Sequence, residues 1–309
     1  MSNYPLVSIC IPTYNRSNSY FPESLHSALN QDYPNLEIIV ADNCSTDGTS
    51  HLVNKLSDPR LKYYRHPKNI SLNDNFNFCL NQASGEYLLL LHDDYLIDHD
   101  LISSCMEALQ YGEEVGVIRC GARLIDSHGN TTSIEYSQGN NLSLQDFFLA
   151  WFGYLKNPIP LYYCNTLFNT RLLIKYGGFN SKTNLYQDVV AIARLISDAG
   201  HLDIGEVKAS FRKHGTSYGT ASKIIDWCED SLYLLDIICN SIGINVKLTR
   251  SAGMRSLCKS CYSRARHLNS IPERFKAYFI IYKYFNYSYS PIRYNSKRIQ
   301  MKIQKKLNL

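Results

Sequence analysis

Residues 86–94 read Glu86-Tyr87-Leu88-Leu89-Leu90-Leu91-His92-Asp93-Asp94, an apolar run that ends in two adjacent carboxylates. A short apolar run preceded by Gly85 predicts a buried central strand. In open α/β sheets the ligand crevice lies outside the carboxyl ends of the strands, so Asp93 and Asp94 are candidate site residues. Two ionised carboxylates this close repel each other unless a cation lies between them and a ligand. The alternative, that they cap a following helix, stays open, although Asp98 is equally suited to begin one.

The segments around this run predict a parallel sheet. Apolar, β-branched segments at residues 6–11 and 36–41 are typical of strands, and residues 61–65 predict a third. Between the first two, residues 23–31 carry apolar side chains spaced for one helical face, and residues 73–83 predict a helix that leads into the apolar run. A strand, helix, strand order implies a right-handed crossover and a parallel pair.

Four motifs occur in order along the first third of the chain. They are Pro12-Thr13-Tyr14-Asn15-Arg16, Asp42-Asn43-Cys44-Ser45-Thr46-Asp47-Gly48-Thr49, Ala83-Ser84-Gly85-Glu86-Tyr87 and Asp93-Asp94. Together they resemble family 2 glycosyltransferases with the GT-A fold, similar to bacterial surface-polysaccharide enzymes of the O-antigen and capsule type. The resemblance covers roughly residues 5–220. It implies an α/β fold, a Rossmann-like, mostly parallel central sheet flanked by helices, in a GT-A domain at 1–220 followed by a basic helical region at 221–309.

The resemblance implies which residues bind a nucleotide-sugar donor. Asp42 would accept a hydrogen bond from the base, and Asp93 would contact the ribose or the sugar. The loop over the base and the diphosphate would consist of Pro12, Thr13, Tyr14 and Arg16. An ordinary polar loop is the alternative for Tyr14 and Arg16.

The resemblance also implies a divalent metal, Mg²⁺ or Mn²⁺, because such hard cations take oxygen ligands and bridge phosphates. Asp94 is the expected direct ligand. The segment Phe211-Arg212-Lys213-His214-Gly215-Thr216-Ser217 resembles the family's Arg-x-His segment, so His214 would complete the metal site or face the diphosphate. The neighbouring Arg212 and Lys213 favour a phosphate-facing role.

One segment departs from the family's pattern. Where the family usually has a glycine and later an Arg-Asn pair, this chain has Ser71 and then Phe76-Asn77. Asn77 is therefore a candidate donor contact, and a role in fixing the loop is the alternative.

Asp188 is the candidate general base of an inverting transfer, in which the base takes the proton of the attacking acceptor hydroxyl. It follows Gly177-Gly178-Phe179 and precedes an apolar helical run at residues 189–195, matching the family's acidic residue at a helix start. A carboxylate there is also a good cap, and the helix dipole is expected to lower its pKa.

Charge is distributed unevenly along the chain. Residues 247–309 contain fifteen lysines and arginines and only one acid, Glu273, whereas the preceding residues contain 17 basic and 26 acidic side chains. The basic region lacks a recognisable nucleic-acid-binding motif, so no nucleic-acid partner is expected. Aromatic and aliphatic residues interleave with Arg274, Lys276 and Lys283, which suits an anionic membrane surface. Packing of these aromatics on the core is the alternative.

The ten cysteines are scattered and no signal peptide is recognisable, so a reduced, cytoplasmic protein is expected. No apolar stretch approaches the roughly 18 residues that span a bilayer. Membrane contact is therefore expected to be peripheral, on the inner face of the cell membrane.

The sequence thus predicts an inverting glycosyltransferase. Its donor would be a UDP-, dTDP- or GDP-sugar, and its acceptor a saccharide, polyprenyl-linked, in cell-surface polysaccharide biosynthesis. The alternative is a carbohydrate-binding or scaffolding protein that retains the GT-A fold without activity, which the departures at Ser71 and Phe76 leave open.

Overall fold

A central mixed sheet organises the computed structural model, which describes residues 5–109, 114–137, 142–156, 159–214, 222–243 and 246–306. Nine strands lie within these ranges: β1 Val7–Thr13, β2 Leu36–Asp42, β3 Leu61–Arg65, β4 Tyr87–Leu90, β5 Leu96–Ile97, β6 Val117–Ile125, β7 Thr131–Glu135, β8 Thr166–Asn169 and β9 His201–Arg212. The described helices are α1 Phe21–Leu29, α2 Thr49–Asn54, α3 Leu72–Gln82, α4 Leu101–Ala108, α5 Leu144–Trp151, α6 Thr170–Lys175, α7 Gln187–Ala199, α8 Ile224–Ile242, α9 Val246–Ala265, α10 Ile271–Tyr284 and α11 Pro291–Lys306.

The strands follow the order β3-β2-β1-β4-β8-β6-β9-β5, and β7 pairs with β6. The first four pair in parallel, as the sequence predicts, and β6 runs parallel to β9, while β8 is antiparallel to both its neighbours. The register aligns Thr13 with Asp42, so β1 and β2 end side by side. The α/β architecture with a parallel core of strands that the sequence predicts is confirmed.

Both faces of the sheet are covered. Along β1, Ile9 and Ile11 pack in one hydrophobic cluster with α1 and α4, whereas Cys10 packs on the other side with α3 and α7. Parallel strands buried on both faces read as continuous apolar runs, which explains the composition of β1, β2 and β4. In these strands the polar side chains lie near the strand ends.

The two aspartates after β4 do not cap a helix. The next helix, α4, begins only at Leu101, preceded by Asp100. Asp98 instead forms a two-pronged ion pair with Arg123 of β6, with N–O distances of 2.9 and 2.8 Å. The capping interpretation of Asp93 and Asp94 is therefore wrong.

The helical C-terminal region is present, and its helices α8, α9 and α10 pack against the sheet domain. Buried residues of these helices, including Leu234, Tyr262 and Ile281, belong to the same hydrophobic cluster as Val190 of α7. Its predicted start at residue 221 lies outside the described residues.

Helix α10 has one buried and one exposed apolar face, so packing on the core holds for part of its aromatic residues, and the membrane-surface interpretation stays a prediction. Tyr278 and Ile281 are buried in the core. Ile271, Phe275 and Phe279 are exposed, with 65%, 70% and 64% of their surface accessible. Among the described helices, none is both long and apolar enough to cross a bilayer.

Candidate functional site

The candidate site lies where β1 and β4 end, beside the end of β9 and the start of α7. Asp93 follows β4 and accepts a hydrogen bond from Thr13 Oγ1 at 2.8 Å, which joins the ends of the two strands. Burial, and next the adjacent Asp94 carboxylate, raise the pKa of Asp93 to about 6. The two carboxylates therefore form a crowded, partly buried acidic centre, as the sequence predicts.

Asp94 and His214 come together although 120 residues separate them in the chain. His214 Nε2 lies 2.7 Å from Asp94 Oδ2, while Asp94 Oδ1 is buried with no hydrogen-bond partner. Buried polar atoms without a partner are uncommon in proteins. No group of three or more His, Cys, Asp or Glu that would hold a metal occurs in the described part of the chain. The unpartnered Asp94 oxygen beside His214 could accept a divalent cation, which would need its other ligands from outside these two residues.

Arg212 supports this pair instead of facing outward. Its side chain is almost fully buried, its Nε donates to the carbonyl oxygen of Asp94 at 3.0 Å, and its guanidinium lies 4.2 Å from the centre of the Tyr20 ring. It also pairs with Glu23 at 2.7 Å. Arg212 is therefore engaged within the protein, whereas Lys213, the other basic neighbour of His214, is exposed. Gly215, Thr216 and Ser217 of the same motif lie outside the described residues.

The loop after β1 is held by the turn after β2. Pro12 and Thr13 are buried, whereas Tyr14 is 45% exposed and Arg16 is partly exposed. Asp47 Oδ2 accepts hydrogen bonds from the backbone N–H and hydroxyl of Ser17, each at 2.9 Å. Although burial opposes it, the hydrogen bonds from Thr49 and Ser17 lower the pKa of Asp47 to about 2. The turn after β2 thus fixes the backbone of the loop that carries Tyr14 and Arg16.

Asp42 is fully buried and shapes its own turn. One of its oxygens accepts from the Ser45 N–H at 2.7 Å and the other from the Tyr63 hydroxyl at 2.5 Å. Both oxygens are therefore engaged within the protein. Each oxygen has a second lone pair, so the full burial of Asp42, more than these two hydrogen bonds, limits the expected contact with a nucleotide base.

Asn77 binds the backbone of Phe179 in both directions. Its amide donates to the Phe179 carbonyl at 3.0 Å, and its side-chain oxygen accepts from the Phe179 N–H at 2.8 Å. A Cβ at Gly178, whose φ is +78°, would lie 2.2 Å from this side-chain oxygen. The geometry favours the loop-fixing alternative for Asn77 over the donor contact.

Asp188 lies in the first turn of α7 and is partly buried. Burial raises its pKa to about 7, although the Val189 N–H hydrogen-bonds to Oδ1 at 2.9 Å. The N–H groups of the helix N-terminus lower this pKa, as expected from the sequence, but desolvation outweighs them and the net shift is upward. A carboxylate that titrates near neutral pH is well suited to general base catalysis.

A stack of rings lies near both the acidic centre and Asp188. The His92 ring lies between Tyr95 and Tyr163, at centroid distances of 4.9 and 4.8 Å. Burial, and after it the charges of Asp94 and Asp188 among others, raise the pKa of Tyr95 well above its usual range. Both carboxylates therefore lie close to this stack. Periodicity could not have identified it, because Tyr163 comes from a loop about 70 residues away.

Sequence reasoning missed Asp230, which holds the loop before Asp188. This fully buried carboxylate on α8 accepts hydrogen bonds from the Ser181 hydroxyl at 2.7 Å and from three backbone N–H groups, those of Thr183, Leu185 and Tyr186. The spacing of Asp230 in the sequence could have indicated that it is buried, because it falls on the face of the helix that also carries Trp227 and Leu234. A carboxylate on an apolar face needs partners.

Comparisons with known proteins agree with this geometry. The model of the family described as "Glycosyl transferase family 2" matches residues 8–177. An uncharacterised glycosyltransferase of Haemophilus influenzae is 36% identical over 281 residues, which cover 82% of this chain and 80% of that protein. The GalNAc(5)-diNAcBac-PP-undecaprenol beta-1,3-glucosyltransferase of Campylobacter jejuni is 33% identical over 157 residues, 48% of this chain and 49% of that protein. The match thus spans only about half the length of the Campylobacter enzyme.

Two solved structures share the fold at 18% sequence identity. One is Staphylococcus aureus TarS 1-349 in complex with UDP-GlcNAc, with a TM-score of 0.66 over 91% of this chain and 81% of that one. The other is the mannosyltransferase PcManGT from Pyrobaculum calidifontis with GDP-Man and Mn²⁺, with a TM-score of 0.55 over 97% and 87%. The shared fold confirms the GT-A type of architecture that the sequence predicts.

Substitution of Asp230, the buried carboxylate that holds the loop before Asp188, tests this structural role. Asp230→Asn removes the negative charge and replaces one of the two accepting oxygens with an NH2 donor that would face N–H groups, so we expect the free energy of unfolding to fall by about 2–4 kcal/mol in urea denaturation. Asp236→Asn on the same helix is the matched control, because Asp236 is 59% exposed and pairs with Arg250 at the surface. The control is expected to change stability by less than about 0.5 kcal/mol. Equal effects of the two changes would contradict the anchoring role.

Proposed function

The chain belongs to glycosyl transferase family 2, and we propose that it transfers a sugar, with inversion, from a nucleotide-sugar donor to a hydroxyl group of a saccharide acceptor. One observation carries this proposal. The unpartnered oxygen of Asp94 beside His214 and the neutral-range carboxylate of Asp188 adjoin the same ring stack. A site for the leaving diphosphate and a general base would then lie on either side of the transferred sugar.

The proposed donor is a UDP-, dTDP- or GDP-sugar. TarS was solved with UDP-GlcNAc and with UDP, and PcManGT with GDP-Man. In this chain the exposed Tyr14 ring offers a flat surface for a base, and Arg16 offers a cation for the diphosphate. Asp93 would accept a hydrogen bond from the ribose or the sugar.

Asp94 and His214 are the residues that would hold Mg²⁺ or Mn²⁺, whose charge would stabilise the leaving diphosphate. The buried oxygen of Asp94 without a partner supports this assignment. Arg212, bound to the Asp94 carbonyl and stacked on Tyr20, keeps the backbone beneath the pair in place.

The proposed reaction is a single displacement. Asp188 accepts the proton of the acceptor hydroxyl as that oxygen forms a bond to the anomeric carbon. The bond from the anomeric carbon to the donor's phosphate oxygen breaks at the same time, and its electron pair leaves with the nucleoside diphosphate. A base with a pKa of about 7 is ionised enough to accept the proton and can release it to water afterwards.

The proposed acceptor is a polyprenyl-linked saccharide at the inner face of the cell membrane. The name of the Campylobacter relative specifies an undecaprenol-linked saccharide as its acceptor. On α10, Ile271, Phe275 and Phe279 are exposed at intervals of four residues and form one apolar stripe. Basic residues flank this stripe, a combination that favours an anionic bilayer surface.

Nucleotide binding tests the proposal most directly. Calorimetric titration of UDP, GDP and dTDP with and without Mn²⁺ is expected to show metal-dependent binding of one of them. Asp94→Asn should weaken that binding at least tenfold, because it removes a charged ligand. Asp32→Asn, at an exposed position, is the matched control and should bind as the unchanged protein does. Folded protein that binds none of the three nucleotides would instead support a non-catalytic protein.

The pH dependence tests Asp188 as the base. Since Asp188 must be ionised to accept a proton, kcat/KM should fall tenfold per pH unit below about pH 7. Asp188→Asn should lower kcat by about 10²–10⁴-fold. Asp198→Asn, at the exposed end of the same helix, should keep the activity and the pH profile. Near-normal activity of Asp188→Asn would exclude the assignment.

Vesicle flotation tests the membrane surface. Phe275→Ser/Phe279→Ser should reduce binding to vesicles that contain anionic lipid at least tenfold, and added salt should weaken binding of the unchanged protein. Ile134→Ser/Ile174→Ser, at positions 48% and 52% exposed on β7 and α6, removes similar apolar surface elsewhere. The same loss in both double variants, or binding that neither changes, would rule out the α10 stripe.

A further inference from the structure

A cationic cavity opens between α9 and α11. It has a volume of about 930 Å³, and its lining includes Lys259 of α9, Arg266 directly after α9, Lys297 and Arg298 of α11, and the rings of Tyr289 and Tyr294. Its residues come from the C-terminal helices, whereas the candidate active site is formed by strand ends and the start of α7. The proposed sugar transfer therefore leaves this cavity without a role.

The charges around the cavity are unbalanced. No acidic residue is among its described lining residues, and the sole acid from residue 247 onward, Glu273, is exposed in the first turn of α10. Lys259 lies against the Tyr289 ring, with Nζ 5.2 Å from its centre, and Arg293 lies 5.7 Å from the same centre on α11. Burial, followed by the charges of Lys297, Arg255 and Arg293, lowers the pKa of Lys259. These cations repel one another and would be stabilised by an anion.

Arg298 gives a second, independent indication. Its Nε atom is buried and has no hydrogen-bond partner. An unsatisfied buried guanidinium donor is costly, and such groups in native proteins usually meet a ligand, an ion or water. In Arg298 the donor belongs to a side chain that also lines the cavity.

We propose that this cavity binds a phosphate or diphosphate group. Arginine presents a planar fork of donors that matches phosphate oxygens, and lysine adds a mobile point charge. The cavity combines two arginines with two lysines, enough positive charge for a diphosphate. The ligand carries this group either as the headgroup of a lipid or as a free anion. The site does not depend on the proposed sugar transfer.

Titration with inorganic pyrophosphate tests the site on the full chain, in EDTA and at low salt so that no metal-dependent nucleotide site contributes. We expect the unchanged protein to bind, and Arg298→Gln and Lys259→Gln each to weaken binding at least tenfold. Lys276→Gln is the matched control, since it removes one positive charge from an exposed position on α10 outside the cavity. It should weaken binding less than twofold.

Two results would overturn the proposal. One is the absence of pyrophosphate binding by the unchanged protein, and the other is the same loss in all three variants, which would indicate diffuse attraction to a basic surface. Thermal unfolding of each variant checks that it is folded. Metal-dependent nucleotide binding by the same variants separates a failure of this site from a failure of the proposed function.

Vesicles distinguish the two sources of the phosphate. Neutral phosphatidylcholine vesicles are compared with the same vesicles that contain an isoprenyl diphosphate or phosphatidylglycerol. If either anionic vesicle binds the unchanged protein more strongly than Arg298→Gln, the cavity takes a lipid headgroup. If vesicles bind both proteins equally while pyrophosphate separates them, the cavity takes a free anion.

Discussion

The arrangement of the site depends on the electrostatic cost of placing two adjacent carboxylates at the end of a buried strand. Asp93 and Asp94 cannot both carry charge in that position without compensation. Thr13 donates to Asp93, and His214 lies against Asp94. Because these partners come from β1 and from the end of β9, the acidic centre draws distant parts of the sheet together. The contacts that compensate the charge of this centre therefore also set the geometry of the proposed donor site.

The proposed base, Asp188, lies near the ring stack and is held in place by a separate set of contacts. Asp230 on α8 binds the loop 181–186, and α7 begins directly after this loop. The basic C-terminal region thus does more than provide a surface, because its first helix determines where Asp188 lies. Asp230, fully buried and hydrogen-bonded, has the structural task, and Asp188 would have the proposed chemical one. This division explains why a helix outside the family model's match, residues 8–177, can matter for the site.

The C-terminal helices have faces that are buried in the core and also present exposed apolar and cationic surfaces. One face of α10 completes the core through Tyr278 and Ile281, while Phe275 and Phe279 remain exposed. The cavity between α9 and α11 gathers cations without a neighbouring acid among its described lining. The exposed apolar residues would bind a bilayer by direct burial, which acts only at contact. The cations would attract phosphate by charge, which acts over a longer distance, so the two surfaces would act at different ranges on a lipid-linked substrate.

The sequence alone determined the parallel core of the sheet, because buried strands and their crossovers leave periodic apolar patterns that depend only on nearby residues. It also indicated the acidic pair after β4 and Asp188, since each lies where a strand or helix pattern changes. Tertiary structure decided the rest. It turned Asn77 toward Phe179, buried Arg212 beneath Asp94, and raised the pKa of Asp188 by desolvation. These outcomes depend on which distant groups become neighbours and on how much water they exclude, and local sequence patterns carry no information about either.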